Sequence, residues 1–190
     1  VKACGVTFAQ SMLERVIEER AKGDPSAAQG IRNDIQKVIG LDLESIIPGS
    51  SEAELLKEVL INKDMWSQYL EVGIGPDAEV FTKAQPMSVM GIGAQIGILE
   101  KSEWNNPEPE ITLAVNARGK ILGATLGNDV NLRDIEGRSA LLLGKAKDNN
   151  ASAAIGPFIR LFDENFSLDD VRMAELSLTV KGLDLSLIHI

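Results

Sequence analysis

The stretch that most constrains the fold runs from Trp104 to Asp134 and reads WNNPEPEITLAVNARGKILGATLGNDVNLRD. Ile111, Leu113 and Val115 alternate with Glu110, Thr112, Ala114 and Asn116, and a period of two marks a half-buried strand. Asn116-Ala117-Arg118-Gly119 supplies turn residues, and Ile121, Leu122, Ala124 and Leu126 carry the return strand. The expectation is a β-hairpin. A turn centred between Ala117 and Arg118 sets Asn106 opposite Asp129 and Glu108 opposite Gly127. Glu108 and Glu110 are two apart, so extended backbone points both to one face, and Asp129 reaches the space in front of them. Three carboxylates with no Lys or Arg interleaved repel one another unless a cation sits among them. The same residues also suit a solvated acidic loop followed by a plain Gly-Asn-Asp turn.

Composition narrows the partners. At 190 residues the chain is long enough to bury a real core, and 44% apolar with 25% charged residues is ordinary for a globular protein. A net charge of −9 argues against nucleic acid and anionic membrane surfaces. It does not exclude a small anionic substrate, because a bound divalent cation reverses the local sign. Cys4 is the only cysteine, so no disulfide framework exists and a reduced, cytoplasmic setting is expected. No apolar run approaches the roughly 20 residues that span a bilayer, and VKACGVTF lacks the basic-then-apolar pattern of a signal peptide.

Along the chain, Cys4–Phe8 reads as a strand, and Ser11-Met12-Leu13-Glu14 fits a capping box opening a helix that Gly23 stops. Ser26 to Ile39 is a second amphipathic helix. Ser51-x-x-Glu54 is another capping box, and Asp64 to Glu71 forms a further short helix in which Trp66 and Tyr69 pack. Val80 to Lys83 reads as a strand, Gly91 to Gly97 as a glycine-rich loop. Lys83, taken alone, is a surface lysine. Ile155 to Phe162 and Glu175 to Lys181 read as later strands, with a turn or short helix at Ser167-Leu168-Asp169-Asp170 between them. No tandem repeat, low-complexity segment or phosphate-loop signature is present. Helices cluster before residue 73 and strands after it, which is an α+β arrangement.

PEPEI, GNDVNLRD and KAKDNNASAAIGPF resemble the core of the fumarylacetoacetate hydrolase superfamily. FTKAQPMSVMGIGAQIGI, WNNPEPE and EGRSALLLGKAKDNN are similar to its branch that dehydrates 2-keto-3-deoxy sugar acids. The likeness runs from about Cys4 to about Lys181. It implies a mixed β-sandwich roll after the helical part. It also implies one incomplete catalytic domain over 1–182, helix-rich to residue 72 and strand-rich from 73, with sequence missing at both ends. Residues 183–190 do not match the family's continuation and are expected to be a non-native tail, which makes His189 functionally irrelevant.

The resemblance also implies a site. Glu108, Glu110 and Asp129 would be the ligands of one Mg, with Mn able to substitute in an oxygen-only shell. Glu14 matches a lid glutamate, whereas Ser11 stands where many hydrolases of the superfamily carry a histidine. The missing imidazole weighs against water-activating hydrolysis and leaves Glu14 as the proton-transfer group. Lys147, nine residues before Gly156, matches a lysine near the metal, and Lys145 is the fallback if the alignment slips by two. Lys83 becomes an anion contact. Arg133 would grip a substrate carboxylate; the plainer alternative is a salt bridge to Asp134 or Glu136. The implied activity is Mg-dependent dehydration of a 2-keto-3-deoxy pentonate to 2,5-dioxopentanoate. Acylpyruvate hydrolysis, oxaloacetate decarboxylation and an inactive oxo-acid-binding fragment are the alternatives. The resemblance further implies a homo-oligomer.

Overall fold

The computed structural model describes residues 1–5, 17, 21, 25–39, 46–181 and 188–189. These form two compact units, residues 4–81 and residues 1–3 with 82–190. The first unit is helical, the second is built on strands.

In the helical unit, α1 (Pro25–Ile39) begins one residue before the expected start, with Pro25 at its first position, where the missing N–H costs nothing. α2 (Ser51–Asn62) is capped by Ser50, whose side chain accepts from the Ala53 amide at 3.1 Å, so the cap lies one residue before the expected Ser51 box. α3 (Gln68–Ile74) is capped by Ser67 and starts four residues later than the expected helix, because Asp64 sits at φ 56° and breaks the helical path. Ile17, Ala21, Ala28, Leu56, Leu60, Met65, Leu70 and Ile74 form a closed apolar core. Trp66 packs against it as expected, and Lys57 lies over its ring at 5.1 Å. The capping box expected at Ser11 and Glu14 lies outside the described residues.

The strand unit contains one mixed sheet. After β1 (Lys2–Cys4) and β2 (Val80–Thr82) come β3 (Val89–Met90), β4 (Asn105–Asn106), β5 (Pro109–Val115), β6 (Ile121–Asp129), β7 (Asn131–Leu132) and β8 (Ala153–Leu161). The sheet order is β3-β8-β6-β5, with β3 parallel to β8 and the other neighbours antiparallel. β4 and β7 pair as a separate antiparallel ribbon. Two short helices, α4 (Arg133–Glu136) and α5 (Leu143–Lys147), follow β7. Leu132, Ile135 and Ala146 bury together and hold them, with Leu99 and Leu142 against them.

The expected hairpin is β5–β6, but its register differs. Asn116 accepts at Oδ1 from the amides of Arg118 and Lys120, and Gly119 takes φ +76°, so the turn centres on Arg118. A bulge follows at Ala114/Val115. The two shifts set Glu110 opposite Gly127 and bring the Asp129 amide onto the Glu108 carbonyl at 2.9 Å. Asp129 therefore faces Glu108, not Asn106.

Near the C-terminus a short helix, α6 (Leu168–Arg172), opens with a Ser167–Asp170 capping box. The strand expected over Glu175–Lys181 shrinks to β9 (Thr179–Val180), paired with β10 (Ile188–His189) in the stretch expected to be a tail.

Candidate active site

Four charged side chains distant in sequence meet where β6 ends and β8 begins. Asp129 closes β6 and pairs with Ala153 at the start of β8. Glu108 stands just before β5, its amide donating to Asn128 Oδ1 at 3.0 Å. Lys147 ends α5. Lys83 directly follows β2.

Lys83 is 2% exposed, which overturns the reading of a surface lysine. Its ammonium donates to the carbonyls of Val130 at 2.7 Å and Lys147 at 2.6 Å, and to Ser152 Oγ at 3.2 Å. It also lies 3.0 Å from Asp129 Oδ1. Four partners satisfy a group that would otherwise be costly to bury. Burial nevertheless holds the Lys83 pKa below the ordinary lysine value, with Asp129 offsetting only part of the desolvation and the Lys147 charge adding to it.

Lys147 is equally buried. Its ammonium bonds Glu108 Oε2 and lies 3.2 Å from Asp129 Oδ2. Burial works against its charge here too, but Glu108 and Asp129 together outweigh it and raise the pKa above the ordinary value. Two ammonium groups thus balance Glu108 and Asp129. The expectation that no cation interleaves the carboxylates fails in space, because residues 83 and 147 supply the cations.

A second layer surrounds this cluster. Asn131, fully buried, donates from Nδ2 to Glu108 Oε1 at 3.0 Å and to Glu136 Oε2 at 2.7 Å. Arg133 Nη1 lies 2.8 Å from the same Glu136 oxygen, so the plainer of its two expected partnerships is present. Asp134 turns away, accepting from Ser102 Oγ at 2.7 Å and the Glu103 amide at 3.1 Å, and these bonds hold its carboxyl below the usual range, the Ser102 bond most.

Of the expected site residues, the structure brings together Lys83, Glu108, Asp129 and Lys147. Arg133 joins them through Glu136 and Asn131. Glu110 lies on β5 opposite Gly127, two positions along the ladder from the Glu108–Asp129 junction. Lys145 faces away as an exposed residue whose carbonyl accepts from Asn149. Ser11 and Glu14 lie outside the described residues. Among the described residues, no three His, Cys, Asp or Glu side chains group closely enough to hold a metal ion. Two members of the expected trio, Glu108 and Asp129, are paired with Lys83 and Lys147. The donor chemistry still suits a hard divalent cation. Carboxylate oxygens of Glu108 and Asp129 meet at the Lys147 ammonium, a position already built for positive charge, and Asp129 Oδ1 is buried with an ion pair but no hydrogen bond.

Sequence reasoning missed Asn131 and Ser152, and named Glu136 only as a salt-bridge partner of Arg133. The available signal was spacing: in extended chain Asn131 shares a face with Asp129, and a polar residue between Val130 and Leu132 in a strand demands a partner.

Acids and lysines thus cluster at the ends of β6 and β8, and comparisons with known proteins find similar chains. No protein-family model matches the chain. The chain is 37% identical over 117 residues to a probable 2-keto-3-deoxyxylonate dehydratase of Haloferax volcanii, covering 62% of this chain and 39% of that protein. It is 40% identical over 94 residues to the 2-dehydro-3-deoxy-D-arabinonate dehydratase of Saccharolobus solfataricus, covering 48% and 32% respectively. A solved 2-keto-3-deoxy-D-arabinonate dehydratase complexed with magnesium and 2,5-dioxopentanoate matches with 38% identity and a TM-score of 0.48, over 49% of this chain and 33% of that one. The apo form of that enzyme matches equally. The resemblance to the sugar-acid dehydratase branch thus meets named relatives, and the chain spans well under half the length of each.

Proposed function

We propose that this chain forms part of a divalent-metal-dependent dehydratase that converts a 2-keto-3-deoxy pentonate to 2,5-dioxopentanoate. The observation that carries this reading is the 37% and 40% identity to two sugar-acid dehydratases. The cluster of buried Lys83, Asp129 and Lys147 with half-buried Glu108 gives it a chemical basis.

Mg, held by Glu108 and Asp129 with Glu110 as a third donor, would supply Lewis acidity toward the keto oxygen and carboxylate of a 2-oxo acid. The chain's own residues do the rest. Lys147, already between two carboxylates, stabilises negative charge as the C3 proton leaves and the enolate forms. Arg133, held at its guanidinium by Glu136, orients the substrate carboxylate. Lys83 ion-pairs with Asp129 and ties it to the segments ending at Val130 and Lys147. Glu14 is the proton-transfer group: it takes the C3 proton and returns it to the C4 hydroxyl, which departs as water. A homo-oligomer belongs to the same reading.

The test is an assay of the protein with 2-keto-3-deoxy-D-arabinonate, 2-keto-3-deoxy-D-xylonate and acetylpyruvate, with and without Mg. Turnover of a sugar acid that needs Mg is expected. Consumption of acetylpyruvate alone would replace dehydration with hydrolysis.

A further inference from the structure

Asn131 is fully buried, yet no step above uses it. Its amide nitrogen has two hydrogens, and each goes to a different carboxylate: Glu108 at 3.0 Å and Glu136 at 2.7 Å. Both acceptors are oxygen-only groups, so the orientation of the amide is fixed by chemistry. Its own oxygen is buried with no hydrogen-bond partner among the described residues. A buried side chain that leaves one polar atom unmatched is held by what its other atom gains. Glu136 in turn holds Arg133 at 2.8 Å. The result is a continuous chain of bonds from Arg133 through Glu136 and Asn131 to Glu108.

We propose that Asn131 is a positioning residue that couples the Glu108 carboxylate to the Glu136–Arg133 pair, setting the orientation in which Glu108 meets a divalent cation. The inference rests on the metal-dependent reading above. Few side chains of this size meet the requirement. Aspartate would add a third like charge against Glu108 and Glu136. Serine offers one donor for two acceptors. Leucine fills the volume and leaves both carboxylates without a donor on that side. Leu132 and the β4 pairing at Asn106 fix the backbone of Asn131, so the amide is aimed before any ligand arrives. Asp129, two residues earlier, is held separately by Lys83 and Lys147.

The experiment is Mn2+ binding to the protein, followed by loss of the free-ion electron paramagnetic resonance signal. Asn131→Leu should raise the Mn2+ Kd about tenfold, the effect expected of a group that orients a ligand. Asn131→Ser should raise it less and serves if the leucine variant does not fold. Leu60→Ala, a packing change in the helical core, should lower the melting temperature and leave the Kd unchanged. Glu136→Gln should raise the Kd about threefold in the native background and not at all alongside Asn131→Leu, because linked residues are non-additive. Native affinity in folded Asn131→Leu and Asn131→Ser, or full additivity with Glu136→Gln, would overturn the coupling. Failure of the unaltered protein to bind Mn2+ would instead sink the metal reading and the coupling with it.

Discussion

The two units spend buried volume in opposite ways. The helical unit hides Leu56, Leu60, Leu70 and Ile74 against one another, with caps at Ser50 and Ser67 closing its helices. The strand unit places Lys83, Asp129, Asn131, Lys147 and Ser152 among its most buried residues. An apolar core tolerates hydrophobic exchange of similar volume. A buried charge cluster tolerates almost none, because removing one member leaves another unpaired. One unit is therefore specified by volume, the other by bonding partners.

That contrast can be broken in graded steps. Asp129→Asn should have the largest effect. It leaves Lys83 and Lys147 short of an anion and should cut sugar-acid turnover by at least about a hundredfold, as removal of an electrostatic contact at a reacting centre commonly does. Steady-state kinetics reads this. Lys83→Met removes one cation from the pair and should cost about 3–5 kcal/mol by urea denaturation. Leu60→Ala in the helical core should cost about 2–5 kcal/mol, and Leu60→Met less than about 1.5 kcal/mol. If Lys83→Met were as mild as Leu60→Met, the difference between the units would disappear.

Alkaline pH gives a finer test. The Lys147 pKa is raised on folding, so its contribution to stability is fully present below the unfolded lysine value of about 10.4 and is lost as pH rises through the higher folded value. Lys83, lowered on folding, contributes with opposite sign, its penalty vanishing as pH rises toward the unfolded value. Lys147→Met should therefore make denaturation midpoints decline less steeply above about pH 10. A steeper decline would reverse the assignment. The smallest effect is expected at Lys57, whose pairing with Glu71 at 2.6 Å is solvent-accessible. Lys57→Met should change stability by about 1 kcal/mol or less.

Much of this was legible in the residues, and the limits are physical. The hairpin declared itself because alternation and turn chemistry are local, and so did α1 and α2. Its register did not: a bulge at Ala114/Val115 and a turn centred on Arg118 moved Asp129 by two residues relative to Glu108. Lys147 emerged through the family likeness, but Lys83 read alone looked like surface, since burial of a lysine depends on Val130, Lys147 and Ser152 arriving from other segments. Asn131 stayed hidden for the same reason, whereas Glu136 was legible as a partner of Arg133 because the two lie three residues apart. The Glu175–Lys181 alternation failed in the other direction, because the partner strand β10 pairs with only Thr179 and Val180, and β9 is no longer than that pairing.

The bonds of Lys83 have a consequence for altering this protein. One ammonium group fastens the ends of three segments, near residues 130, 147 and 152. Those loops cannot be exchanged or shortened one at a time, since each supplies part of the same coordination sphere. Any engineered swap in this region must carry all three together, or replace residues 83 and 129 as a pair.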